Sequence, residues 1–497
     1  MKTNGVPSAA AQYLTEMYKD CKTRIMCRGG DMVETNLKRG VKQGDPLSPL
    51  LFNIILDPII GKIGETTEGI QMGDEKVSVI AFADDLVLLA RTKNEAAKQN
   101  KMLASYLKKL GMSVAASKCS AFQIAQNNKT WYMVDPRLET GGLPIPYSDP
   151  ESTFKYLGIQ IDPWRGLSRT STKEIVDAVK AVKRLRLKPH QKINLIRIYL
   201  LPRYIHKLVA NPPPLGTLKQ IDTEVRQEIK QILRLHPSTT DGIIYTSKSH
   251  GGLGVQRVEN IVKIAKLRNA IKIAESEDEA VKEALNGQEG IIKKYAVSVG
   301  LDWSSAITAE QVEAARKVLR KADTDKWRQL VSQGQGVKEF FGDKIGNCWF
   351  YRPELLKLSR YLDALKIRTN TVGTKVALNR AKKNMDVNCR RCGVQAETLG
   401  HIVGNCTHTK PKRIRRHNEI CELIKSRASS RCAVFTEPSV NVLGDVRKPD
   451  MVIKDQERVS IVDVTVRYED RENLRQAYRE KVRYRGLVRF KYRRGVS

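Results

Sequence analysis

The sequence predicts a multidomain α+β protein. Its 497 residues suffice for about three domains at ~150 residues each, and 41% of them are hydrophobic, enough for ordinary cores. Two apolar, β-prone runs, Val77–Phe82 and Leu86–Ala90, flank a pair of aspartates, the pattern of a tight hairpin. Helical periodicity prevails over Ser168–Ala210 and Gln256–Lys383, and a short cluster of three cysteines and a histidine follows.

Composition narrows the partners. A formal net charge of +33 and an isoelectric point near 9.8 favour a polyanion, most simply nucleic acid. No run approaches the ~18 consecutive apolar residues of a membrane helix, and Met1–Ala10 lacks the basic-then-apolar pattern of a secretory signal. The nine cysteines are irregularly spaced outside one cluster, which points to a reducing compartment and one metal site, not a disulfide framework.

Taken in order, Tyr13, Leu14, Met17, Tyr18 and Cys21 recur at helical spacing, and Ile25–Leu37 reads as a hairpin around Gly29-Gly30-Asp31. The next eleven residues, Arg39 to Pro49, hold two glycines and two prolines and form a shaped loop before an apolar helix, Leu50–Ile60. Gly44 lets the backbone approach a planar ligand. This string resembles the template- and nucleotide-positioning loop of reverse transcriptases, and the resemblance implies that Gln43 and Gly44 touch the templating pair and the incoming nucleotide.

Ala81–Leu89, Ala-Phe-Ala-Asp-Asp-Leu-Val-Leu-Leu, places Asp84 and Asp85 at the hairpin tip. Neighbouring carboxylates repel unless a cation sits beside them, and hard oxygen ligands suit Mg²⁺. The stretch resembles the metal-binding hairpin of reverse transcriptases. Glu95–Leu110 reads as a helix stopped by Gly111, leading to Ser117-Lys118-Cys119. That block resembles the one whose lysine lies near the nucleotide phosphates, with Lys118 as the match and an ordinary surface lysine as the alternative. Phe154–Ile159 resembles the hairpin that grips the primer end.

Lys183–Lys188 is basic and precedes Pro189 and further helix, which fits a helical element tracking duplex phosphates. His250-Gly251-Gly252-Leu253-Gly254-Val255 implies a tight, bent turn. Val312–Leu330 and Pro353–Leu365 show the helical period, and Trp303, Trp327 and Trp349 are expected to pack, not to stack on bases.

Cys389-x₂-Cys392-x₈-His401-x₄-Cys406 offers thiolates and an imidazole at the spacing of a tetrahedral, closed Zn²⁺ site, with His408 as a substitute for Cys406. Arg390 and Arg391 are expected to aid nucleic-acid contact. Further on, Lys448-Pro449-Asp450 precedes a strand, Met451–Ile453, and Asp463 lies in the β-rich run Val459–Tyr468. In a strand Asp463 shares a face with Ile461 and Thr465, so Asp450 and Asp463 meet across a hairpin and could hold Mg²⁺ against a phosphate. Lys481 sits on the following helix. The three resemble the Pro-Asp…Asp…Lys core of restriction-enzyme-like endonucleases, with Arg413 and His417 as accessory residues.

The order of these blocks resembles the polyprotein of site-specific non-long-terminal-repeat retrotransposons that insert into large-subunit ribosomal RNA genes. The implied architecture is a partial reverse-transcriptase palm (1–165), a helical thumb (166–255), a helical basic linker (256–385), a zinc knuckle (386–409) and a restriction-enzyme-like α/β nuclease (410–497). The implied function is RNA-directed DNA polymerase and endonuclease in target-primed reverse transcription. Mg²⁺ would be held by Asp84, Asp85, Asp450 and Asp463, and Zn²⁺ by Cys389, Cys392, His401 and Cys406. The implied partners are the element's RNA and chromosomal target DNA, in the nucleus, with no membrane. A first polymerase aspartate on a strand before the Gly40–Pro49 loop is missing, so the chain is expected to be a C-terminal fragment unable to polymerise alone. A non-catalytic nucleic-acid-binding relic and a group II intron maturase-type polymerase are the alternatives.

Overall fold

A computed structural model describes residues 5–19, 21–26, 30, 32–36, 40–42, 44–302, 306–379, 386–442, 445–455, 458–468 and 473–483. Gln43, Gly29, Asp31 and Trp303 lie outside them, as do the side chain of Lys481 and part of the basic stretch before Cys389. The chain divides into two compact units. One holds Met1–Thr170, His206–Pro213 and Ala265–Val312; the other holds Ser171–Ile205, Pro214–Ile264 and Glu313–Ser497. No helix among the described residues is long and apolar enough to cross a membrane.

The first unit is mixed helix and strand. Strands Val79–Phe82 and Asp85–Leu88 pair antiparallel, with Phe82 opposite Asp85. Helices Ser48–Thr66 and Lys93–Lys109 cover one face of this hairpin. Leu56, Ile59, Ile63, Leu103 and Leu107 are buried there, and Val79, Leu86 and Leu88 pack against them. The alternation of a strand sends Ile80, Phe82 and Asp85 to the other face, where all three are exposed. Helix Lys93–Lys109 starts where the Thr92 side chain accepts the Glu95 amide, and it stops at Gly111, whose φ of 69° only glycine adopts readily. Two further hairpins, Lys22–Met26 with Met32–Asn36 and Phe154–Tyr156 with Ile159–Asp162, are also antiparallel.

The second unit is helical up to residue 379. Ile175, Val176 and Val179 of helix Thr172–Arg184 and Leu218, Ile221, Val225 and Ile229 of helix Leu215–Ile232 are buried, and the two helices pack together. Of the basic run, Lys183 is committed to Glu228 at 2.9 Å, while Arg184, Arg186 and Lys188 stay exposed. The glycine-rich turn has a packing reason that the sequence did not disclose. A Cβ on Gly252 would sit 2.3 Å from the Thr246 carbonyl, and one on Gly251 would meet Arg368 and Phe340. The stretch expected as a linker is packed: Trp327 is fully buried against Gly242, and Arg257 grips Asp323 with two nitrogens.

Beyond the cysteine cluster, helix Lys410–Ala428 packs on a three-stranded antiparallel sheet ordered Ala433–Thr436, Met451–Lys454, Val459–Val462. Helix Asn473–Arg483 follows.

Candidate functional site

Asp84 occupies the two-residue turn with Ala83, whose φ is 51°, and Asp85 begins the second strand. Both carboxylates are exposed. Asp85 lies near the Phe154–Tyr156 hairpin: burial lifts the Tyr156 phenol above its ordinary value, and the Asp85 charge adds to that. The Tyr156 hydroxyl is buried and has no hydrogen-bond partner among the described residues. Gly44 sits in an open loop at φ 93°, with nothing within 4 Å of where a Cβ would stand. That loop is braced from behind. Asp45 accepts the Leu47 amide at 3.0 Å, Ser48 donates to the Lys42 carbonyl at 2.6 Å, and the Lys42 ammonium lies 5.4 Å from the Tyr18 ring centroid. Lys118 ends a short 3₁₀ turn and is exposed; among the described residues no hydrogen bond or ion pair joins it to Asp84 or Asp85.

The cysteine–histidine cluster is assembled. Ligand atoms of Cys389, Cys392, His401 and Cys406 all lie within 4.8 Å of one another. The Cys389 and Cys406 sulfurs are 3.9 Å apart, and Cys392 Sγ is 3.3 Å from His401 Nε2. Tetrahedral zinc with Zn–S near 2.3 Å puts two sulfurs about 3.8 Å apart, so the donor set fits. Backbone N–H groups of Cys392 and Arg391 pull the Cys389 thiol below its ordinary value, and those of Val394 and Gln395 do the same for Cys392. Burial pushes Cys406 up. His401 Nδ1 contacts Gln395 Oε1 at 2.8 Å, which turns Nε2 toward the sulfurs. Gly393, at φ 67°, donates to the Cys389 carbonyl and closes the turn. His408 is exposed and stands outside the cluster; Cys406 holds the fourth place.

Two of the arginines brace the cluster. Arg390 has a structural duty besides any contact with nucleic acid, although its side chain stays half exposed. Its Nε lies 3.0 Å from both oxygens of the buried Glu397, and Nη2 donates to the Gly373 carbonyl at 2.7 Å. The Arg390 guanidinium, with the amides of Arg390 and Lys375, holds the Glu397 carboxyl far below the usual range, at about 2. Arg413 is committed to the Gly404 carbonyl and, at 3.2 Å, to the Cys406 carbonyl. It ties helix Lys410–Ala428 to the cluster. Tyr468 packs against Gly400 from the other side: a Cβ there would stand 3.1 Å from its ring.

Asp450 and Asp463 are brought together, but not as two strand residues. The second strand ends at Val462, and Asp463 is the first residue past it, so it does not share a strand face with Thr465. Met451 pairs with Val462, and one further step of that register sets Asp450 opposite Asp463. Burial raises the Asp450 carboxyl, and a hydrogen bond with Asp463 raises it further. The Val464 amide donates to Asp450 Oδ2 at 2.6 Å. His417 Nε2, from the overlying helix, lies 3.3 Å from the same oxygen. Two carboxyls that raise one another in this way are a donor set that suits a hard divalent cation. Lys481 falls within helix Asn473–Arg483.

Residues 2–161 match the family described as reverse transcriptase (RNA-dependent DNA polymerase). A retrovirus-related Pol polyprotein from the type-1 retrotransposable element R2 of Popillia japonica is 29% identical over 492 residues, covering 96% of this chain and 66% of the relative. The polyprotein of the type-2 element R2DM of Drosophila melanogaster is 26% identical over 473 residues, covering 94% of this chain and 44% of its own length. An R2 polyprotein of Nasonia vitripennis is 25% identical over 481 residues. The chain thus spans between under half and about two thirds of these relatives.

Proposed function

We propose that this chain, homologous over nearly its whole length to the polyproteins of R2-type non-long-terminal-repeat retrotransposons, nicks DNA through Asp450 and Asp463 and positions nucleic acid for reverse transcription. The observation that carries the proposal is the hydrogen-bonded pair Asp450–Asp463, set at one end of a strand pair behind a cysteine–histidine cluster. Bound Mg²⁺ would polarise a scissile phosphate and lower the pKa of its water. Asp450 and Asp463 would hold it, the Val464 amide fixes the Asp450 oxygen, and Lys481 would orient or deprotonate the attacking water.

The reverse-transcriptase domain supplies the other half of the reading. Asp84 and Asp85 would bind catalytic Mg²⁺, Gln43 and Gly44 would meet the templating pair, and Lys118 the nucleotide phosphates. Two-metal transfer needs carboxylates from more than one element. No aspartate in a strand ahead of the Gly40–Pro49 loop accompanies Asp84 and Asp85 in the sequence, so this chain alone is expected not to polymerise. Zn²⁺ in the Cys389–Cys392–His401–Cys406 knuckle would be structural, because the site is closed. The whole reaction is target-primed reverse transcription in the nucleus: one strand of a ribosomal RNA gene is nicked, and its 3′-hydroxyl primes copying of the element RNA.

The test is nicking of supercoiled plasmid carrying ribosomal DNA, with Mg²⁺ present. The wild-type chain should nick it and Asp463→Ala should not. Absence of nicking by the wild type would leave a nucleic-acid-binding relic.

A further inference from the structure

Helix Lys410–Ala428 carries His417 and Cys421 four residues apart, so both face the sheet beneath. There they meet Asp450. Ligand atoms of His417, Cys421 and Asp450 all lie within 4.8 Å of one another, a second cluster separate from the four-ligand site. His417 Nε2 is 3.3 Å from Asp450 Oδ2, and Cys421 Sγ is 4.0 Å from the same nitrogen. In tetrahedral zinc, bonds of about 2.0–2.2 Å to N and O and about 2.3 Å to S put N and O some 3.4 Å apart and N and S some 3.5 Å apart. The N–O separation already fits, the N–S separation must close by about half an ångström, and the sulfur, 3.8 Å from His417 Nδ1, must move toward the Nε2 side of the ring as the ion binds. Burial, and after it the charges of Asp450, Asp463, Glu422 and Glu437, push the Cys421 thiol up, a cost that the metal–sulfur bond must offset, while the same acids favour a cation. His417 and Asp450 keep 33% and 20% of their side-chain surface exposed, so ions can enter.

We infer that His417, Cys421 and Asp450 form a second, exchangeable site for a thiophilic divalent cation, zinc being the natural probe, and that its occupation blocks the Asp450–Asp463 pair. A carboxylate pair alone prefers hard ions; a thiolate and an imidazole added to one of its members shift preference to soft ones. On binding, the Cys421 thiol forms a metal–sulfur bond and its proton leaves to solvent. Three protein ligands leave a fourth position open, the arrangement of a site that exchanges metal, unlike the closed cluster upstream. Because Asp450 belongs to both ligand sets, it cannot serve Mg²⁺ fully while the soft ion holds it. This inhibitory consequence rests on the nuclease reading; the binding site itself does not.

The experiment reloads the metal-stripped full chain with Co²⁺, counting metal per chain and recording thiolate-to-cobalt absorption. The wild type should reach two thiolate-bound Co²⁺ per chain by that absorption, so that cobalt held by carboxylates alone is not counted. Cys421→Ser should take up one, with the absorption of the four-ligand site retained, which also reports that the variant is folded. A wild type that binds a single Co²⁺, or a Cys421→Ser chain that still binds two, overturns the site. In Mg²⁺-dependent nicking, Zn²⁺ beyond one equivalent should inhibit the wild type, and Cys421→Ser should need roughly ten-fold more. Equal sensitivity overturns the inhibitory role. A drop from two Co²⁺ to one with no nicking by either protein would uphold the site and sink the nuclease reading instead.

Discussion

The two aspartate pairs reach adjacency by opposite routes. Asp84 and Asp85 are neighbours in the chain, stand exposed on a hairpin tip, and need only local β-pattern to be placed. Asp450 and Asp463 are thirteen residues apart, half-buried, and meet because a strand pair ends between them. The first pair is open to whatever ligand arrives. The second already has its oxygens committed to each other, to the Val464 amide and to His417. A carboxylate pair held in that way is organised before its cation binds, so its geometry depends on the surrounding frame far more than the hairpin tip does.

Substitution of the acidic groups themselves breaks the comparison most directly. Asp463→Ala should reduce Mg²⁺-dependent nicking by more than about 100-fold, beyond what outer-shell changes cost at metal sites. Asp84→Ala should leave nicking unchanged. A plasmid assay run on both variants decides it, and equal loss in the two would mean that the pairs are not separate sites.

The frame of the second pair can be loosened without touching it. Cys392→Ser, made in a Cys421→Ser background so that only the four-ligand site is counted, should bring zinc below one per chain, measured by elemental analysis, and should open the segment around residues 389–406 to protease. Zinc that stays stoichiometric in the variant would remove Cys392 from the ligand set. A smaller effect is expected from Glu397→Gln. The Glu397 carboxyl is lowered from 4.5 to about 2 by Arg390 and two amides, so its contribution is complete above about pH 4.5 and is lost as pH falls toward 2. That shift corresponds to about 3 kcal/mol. Wild type and variant should therefore differ in denaturant midpoint at pH 7 and converge in acid. A constant difference across that range would show that Glu397 acts through packing, not charge.

What could be read from the sequence follows the same division. The Asp84–Asp85 hairpin was legible because its signal is local: apolar alternation on both sides of a short polar turn. The cysteine–histidine set was legible because its ligands are close in sequence, as Cys389 to Cys406 span one compact loop. The meeting of Asp450 and Asp463 was legible from strand, turn, strand, although the strand was drawn too long at its C-terminal end. The duties of the basic residues were not legible. Arg390 reads as a nucleic-acid contact in a chain of net charge +33 and Arg413 as an accessory residue of the nuclease, yet one is bound to Glu397 and the other to backbone carbonyls. Charge alone does not say whether a guanidinium faces phosphate or its own fold. The four-residue spacing of His417 and Cys421 was visible, but only the packing of their helix on the sheet brings Asp450 to them.

The smallest predicted effect concerns protons on the second pair. Burial and the bond to Asp463 raise the Asp450 carboxyl above its ordinary value of 3.8. A raised acid binds its proton more tightly in the folded chain than in the unfolded one, so this group favours the fold at low pH. The contribution is complete below the unfolded value and is lost as pH rises through the folded one. Above that point two carboxylates face each other, and a divalent cation relieves their repulsion. Mg²⁺ should therefore raise the melting temperature of the wild type more at pH 8 than below pH 3.8, where the carboxyl is protonated even at its ordinary value. Asp450→Asn should remove that pH dependence while leaving any Mg²⁺ response of the Asp84–Asp85 hairpin in place. A wild-type shift that is the same at both pH values would mean that the two carboxyls do not share a proton, and the contrast between the two pairs would reduce to their exposure.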